Sequence, residues 1–145
     1  MEELITQDTL PVYIDAFLGE IKKRDIHLVL LEGDLGAGKT TYTQTLAKIL
    51  GITEPVLSPT FVLMKTYTTT DSLFKKLTHI DAYRIEDNTL FETLRLKESL
   101  LDTSTLFCVE WPDRIQELGM YPHAKVQLSY GVNPDERYIK VTYHE

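Results

Sequence analysis

Residues Gly33-Asp34-Leu35-Gly36-Ala37-Gly38-Lys39-Thr40 set a glycine, four variable positions, a second glycine, a lysine and a hydroxyl in one row. This G-x-x-x-x-G-K-[ST] spacing suits the grip of a phosphate tail. Glycines let backbone N–H groups turn inward around concentrated negative charge without a Cβ in the way. Lys39 is a mobile point charge that can reach β- and γ-phosphates, and the Thr40 hydroxyl can ligate Mg²⁺. Thr41, next in line, suits either an α-phosphate contact or a solvated helix position.

A phosphate cradle needs an acid on its metal side, and two apolar runs end in one. LTHIDAYR carries Asp81 and LFCVEWP carries Glu110. Either acid can hold Mg²⁺ directly or through water, and the other can orient an attacking water. Ser58 to Phe61 read SPTF, about twenty residues after the lysine. Thr60 stands where nucleotide switches place a hydroxyl that senses metal and γ-phosphate, although local sequence favours a plain Ser-Pro turn before a strand. His79 reads as a packed or hydrogen-bonded residue, since one histidine makes no metal site. Trp111, before Pro112, reads as an anchoring aromatic rather than a ligand platform. Tyr83 and Arg84 suit the surface, and an arginine near phosphates can stabilise transition-state charge.

These residues need a scaffold. Ile26 to Leu31 is a short apolar run, consistent with a strand buried on both faces, directly before the glycines. Residues 39–50 (KTTYTQTLAKIL) read as a helix capped by Gly51. The loop thus has the strand before it and the helix after it that its chemistry requires. Upstream, residues 9–24 form an amphipathic helix pattern. Val12, Ile14, Phe17, Leu18 and Ile21 make its apolar face, Pro11 fits its first turn, and Lys22, Lys23 and Arg24 suit its C-terminal end. Residues 61–68 and 73–80 flank TTTDS as a hairpin. A helix is expected over 87–101 and a buried strand over 106–109. Residues 121–130 and 137–143 alternate as late strands around the turn GVNPDE. Strands interleaved with helices predict an α/β fold: a mainly parallel central sheet flanked by helices, with some antiparallel strands.

The 145 residues fit a single domain, 1–145, with a sizeable core. No apolar stretch approaches the ~20 residues of a membrane helix. The start, MEELITQDTL, lacks the basic and apolar regions of a signal peptide, so a cytoplasmic location is expected. The lone Cys108 has no partner for an internal disulfide and reads as a core residue. Fifteen basic against 22 acidic residues give a net charge of −7. That balance argues against a direct grip on nucleic acid, but leaves room for work on a nucleic acid held by a partner.

In order, GDLGAGKTT, SPTF, HIDAYR and VEWP resemble the TsaE family, also called YjeE, over roughly residues 8–140. The resemblance implies a P-loop ATPase with ATP and Mg²⁺ as ligands, needed for threonylcarbamoyl modification of adenosine 37 in tRNA. It implies TsaD and TsaB as partners, with the family member resetting their complex between turnovers, and tRNA contacted mainly through them. By the same resemblance, Gly36, Ala37, Gly38, Lys39, Thr40 and Thr41 contact ATP phosphates. Thr40 and Glu110 serve the metal, Asp81 orients water or links to the metal, and Thr60 is the switch threonine. The N-terminal segment around Thr6 to Thr9 and a late loop near Arg137 would lie by the adenine. A free monomer is expected. The chain departs from the family in ending soon after its last strand, at YHE.

Two other functions share the phosphate loop. A small-molecule kinase would add an acceptor pocket and an arginine-bearing lid, and no arginine-rich lid is evident. A nucleotide-gated binding module would regulate a partner with negligible hydrolysis. No N-K-x-D motif points to a GTPase.

Overall fold

The structure is a computed structural model that describes residues 2–57, 64–83 and 88–145. Its elements run β1 (Glu2–Thr6), α1 (Leu10–Lys23), β2 (Leu28–Glu32), α2 (Lys39–Ile49), β3 (Met64–Thr68), β4 (Lys76–Asp81), α3 (Leu90–Thr93), α4 (Leu96–Ser99), β5 (Thr105–Glu110), β6 (His123–Tyr130) and β7 (Glu136–His144). Two 3-10 turns, Pro112–Arg114 and Gln116–Met120, follow β5. The seven strands form one sheet in the order β1-β7-β6-β2-β5-β4-β3. The central four, β6-β2-β5-β4, are parallel to one another, and the outer strands at each end join antiparallel.

Alternation along the strands divides the core into two layers. Val29, Leu31, Leu106 and Cys108 pack with α1 and α2 on one face. Leu28, Leu30, Phe107 and Val109 pack with α3, α4 and the 3-10 turns on the other. β2 and β5 therefore read as continuous apolar runs, because each is covered on both sides. The same period places Glu110 on the face of Leu106 and Cys108. Along β4, Leu77 shares that face, so His79 and Asp81 follow it. Strand parity thus aims both acids at the layer that holds α2.

In α1 the buried positions are Leu10, Ile14, Phe17, Leu18 and Ile21, one helical stripe. Val12, expected on that stripe, is 75% exposed, and Leu10 takes its role. Helix α2 ends as expected at Gly51: its N–H bonds Lys48 O, the Ile52 N–H bonds Ala47 O, and φ at Gly51 is +86°.

The single helix expected over 87–101 is instead two one-turn helices. Arg95, at φ +55°, separates them. A straight helix that buries Leu90 would carry Leu96 round to its solvent side. The break rotates the chain so that Leu90, Leu96 and Leu100 are all buried, leaving Leu101 81% exposed. Strand β1 was not anticipated; only Ile5 of its five residues is buried. Residues 61–63 of the expected hairpin lie outside the described residues.

Candidate functional site

The glycine segment connects the end of β2 to the start of α2. Gly36 adopts φ +77° at its crest, a conformation that strains any side chain, and a Cβ there would lie 2.8 Å from the Tyr130 hydroxyl and displace it. Gly38 stands at the N-cap of α2 with φ +107° and offers no side-chain cap. The helix's first N–H groups are thereby left for a ligand.

Lys39 is buried, 5% exposed. Its ammonium donates to the carbonyls of Gly33 and Asp34, the latter at 3.0 Å. It also lies 4.0 Å from the centre of the Trp111 ring. Burial holds its pKa below the usual 10.5, against the opposing pull of Glu110, Asp81 and Asp34.

Glu110 ends β5 with 3% of its surface exposed. The Thr40 hydroxyl faces both of its oxygens, at 3.4 and 3.5 Å. His79 donates from Nε2 to Glu110 Oε2 at 2.5 Å. Asp81 is in register with Glu110 on the neighbouring strand, and its Oδ1 accepts the Tyr83 N–H at 3.0 Å. The rings of Tyr83 and Trp111 lie 4.7 Å apart. Cys108 is fully buried and its thiol is pushed up to about 12 by burial, so it is a core residue as expected.

A cavity of about 340 Å³ opens on the other side of the loop. Ile5, Leu10, Tyr42 and Leu128 give it apolar walls, and Ala37, Gly38 and Thr41 join it to the glycine loop. Thr6, Gln7, Asp135 and Arg137 give it polar ones. An apolar slot with a polar rim, continuous with a phosphate loop, suits a nucleoside.

The carboxylate and hydroxyl converging beside the loop fit Mg²⁺, a hard cation that takes oxygen donors and keeps several waters. Among the described residues no group of three His, Cys, Asp or Glu side chains could cage a metal. A site of one carboxylate and one hydroxyl, completed by substrate phosphates and water, does not require such a cage.

The family model for "Threonylcarbamoyl adenosine biosynthesis protein TsaE" matches residues 9–139. The chain belongs to the TsaE family. A Bacillus subtilis relative named "tRNA threonylcarbamoyladenosine biosynthesis protein TsaE" is 41% identical over 79% of this chain and 68% of its own length. A Rickettsia bellii relative of the same name is 34% identical over 90% of this chain and 85% of its own. A Nostoc relative is 43% identical, and the match spans 63% of that protein. In overall shape the fold resembles the crystal structure of Bacillus subtilis YdiB, with TM-score 0.68, 27% identity and coverage of 99% of this chain and 84% of that one.

Against the TsaE pattern, the structure gathers Lys39, Thr40, Asp81 and Glu110 at the ends of β2, β4 and β5. Thr6, Ala37, Gly38, Thr41 and Arg137 line the adjoining cavity. Arg137 also reaches from Nη2 to the Gly36 carbonyl at 3.4 Å. Thr9 is not among the residues lining the cavity; its hydroxyl accepts the Thr6 N–H at 2.9 Å and holds the turn between β1 and α1. Thr60 and Arg84 lie outside the described residues. Tyr130 was missed in the sequence, and Trp111, read there as an anchoring aromatic, had no partner assigned. Trp111 is a platform for the lysine ammonium, a role its place right after the strand-end acid could have suggested. Tyr130 donates its hydroxyl to the Leu35 carbonyl, bracing the loop from β6. No spacing rule links residues 95 positions apart.

Proposed function

We propose that this protein is a Mg²⁺-dependent ATPase of tRNA threonylcarbamoyladenosine biosynthesis, acting in the cytoplasm on a complex of TsaB and TsaD to support its turnover. The observation that carries the reading is the meeting of Thr40 and Glu110 beside the phosphate loop, in a chain of the TsaE family. ATP lays its base in the cavity rimmed by Thr6 and Arg137 and its phosphates along Gly36 to Thr41. Lys39 leaves the carbonyls of Gly33 and Asp34 for the β- and γ-phosphates, a stronger partner for an ammonium than neutral carbonyls. Thr40 and Glu110 are the residues that would hold Mg²⁺, which when bound neutralises phosphate charge. Asp81, at the mouth of β4, aligns the attacking water. Phosphoryl transfer needs positioning and charge stabilisation more than covalent help, and these residues supply both. Thr60 senses the γ-phosphate in this reading, and the free protein is a monomer.

The test is ATP hydrolysis by the chain alone and with its cognate TsaB and TsaD. Stimulation by the partners is expected, and Lys39→Ala lowers turnover on the order of 100-fold or more. Unchanged turnover in folded Lys39→Ala rejects the assignment. No stimulation in a demonstrably formed complex favours a nucleotide-gated binding module instead.

A further inference from the structure

β4 brings two polar side chains to the same face of the sheet. Asp81 lies at the mouth of the site, and His79 lies one pleat deeper with no exposed surface. The deeper residue is tied to the site by a contact from Nε2 to Glu110 Oε2 at 2.5 Å. Its other ring nitrogen, Nδ1, is buried with no hydrogen-bond partner among the described residues.

The partner fixes the ring's role. A carboxylate can only accept, so across the 2.5 Å contact Nε2 is the donor and its proton faces Glu110. Glu110 in turn is almost wholly buried, and its contacts to the Thr40 hydroxyl are long, at 3.4 and 3.5 Å. The short bond from His79 is what fixes its orientation. A glutamate has three rotatable bonds, and a metal ligand must hold one geometry. A donor from the far side anchors one carboxylate oxygen and leaves the other lone pairs toward Thr40.

We propose that His79 is a positioning residue for Glu110: its Nε2–H holds the carboxylate in the orientation that ligates Mg²⁺, so that His79 sets how strongly the metal tightens nucleotide binding. This rests on the reading of Glu110 as a metal ligand.

The test compares binding of ADP and of a non-hydrolysable ATP analogue, by calorimetry, over a Mg²⁺ titration and in chelator. In His79→Leu the Mg²⁺ concentration for half-maximal effect rises 10- to 100-fold, the range for lost outer partners of metal ligands. Affinity in chelator stays within about twofold of native. His79→Gln, whose side-chain N–H can donate from near the place of Nε2, recovers most of the metal response. Should the leucine variant not fold, His79→Asn, too short to reach Glu110, takes its place with the same expectation. A native Mg²⁺ dependence in the folded leucine or asparagine variant overturns the proposal. So does a parallel loss of affinity with and without metal that glutamine does not rescue, which would mark His79 as packing alone. Glu110→Ala separates the two levels: if it keeps the native metal response, the reading of Glu110 itself fails, whatever His79 does.

Discussion

At the scale of single residues, Lys39 is where burial and charge oppose each other in the candidate site. It is a buried cation held by two carbonyls and an aromatic face, and burial lowers its pKa. The sign follows directly. The fold disfavours the ammonium, so the charge weakens the empty protein below the lowered pKa, and that penalty is relieved as pH rises through it. A bound phosphate tail reverses the preference and pulls the pKa back up. Nucleotide affinity should therefore fall as pH rises through the lowered value, and binding in that range should take up protons. Calorimetry in buffers of different ionisation enthalpy measures this, and proton release on binding would contradict it. Trp111, the only tryptophan, gives an independent readout. Its emission should shift when nucleotide draws the ammonium off the ring, and Lys39→Met should abolish that shift. The place of Lys39 at the loop's end was legible from spacing because backbone geometry within a loop is local. The contacts of Trp111 and Tyr130 were not, because they depend on which strands become neighbours.

Elements were legible where a period met its own terminator. Helix α2 reads cleanly from lysine to Gly51, and β2 and β5 read as apolar runs ending in polar residues. The segment after β4 did not, because its buried leucines fit no single helical stripe until Arg95 breaks the axis. The turn between β3 and β4 shows what a short polar sequence can hold. In TTTDS, Asp71 accepts the N–H groups of Leu73 and Phe74, each at 2.9 Å, and pairs with Lys22 of α1 at 2.8 Å. Burial alone would raise its pKa, but the Lys22 ammonium and the two N–H groups outweigh it and the pKa is lowered from 3.8. A depressed carboxylate pKa contributes stability above the unfolded value, and that stability is lost as pH falls through the folded one. Asp71→Ala should cost about 2 kcal/mol at pH 7. In urea titrations the gap between variant and native should narrow as pH drops below about 4. A gap that stays constant down to pH 2 would show that the hydrogen bonds of Asp71 do not depend on its charge.

The whole molecule places its chemistry at the C-terminal ends of β2, β4 and β5, where an open α/β sheet gathers its loops. The class was legible from alternating elements, but strand order was not, since periodicity gives faces and not neighbours. β1 escaped because one buried side chain, Ile5, makes no pattern, yet it supplies a wall of the cavity. Charge is the property that reaches furthest beyond the chain. The net −7 leaves little cationic surface to spend on a polyanion. Lys22 is paired with Asp71, Arg24 with Glu20, and Lys125 lies 3.4 Å from Glu32, while Lys39 is committed to the loop. Phosphate contacts supply nearly all non-specific affinity for nucleic acid and disappear with added salt. The isolated chain should therefore bind tRNA more weakly than about 10⁻⁴ M at physiological salt, the weak edge of ordinary non-specific binding. Filter binding or anisotropy with labelled tRNA measures this at two ionic strengths, alone and with partner proteins present. Micromolar binding by the chain alone, falling steeply with salt, would mean that its remaining lysines and arginines form a nucleic-acid face. tRNA retained only when partners are present would leave this chain to act on the assembly through nucleotide state.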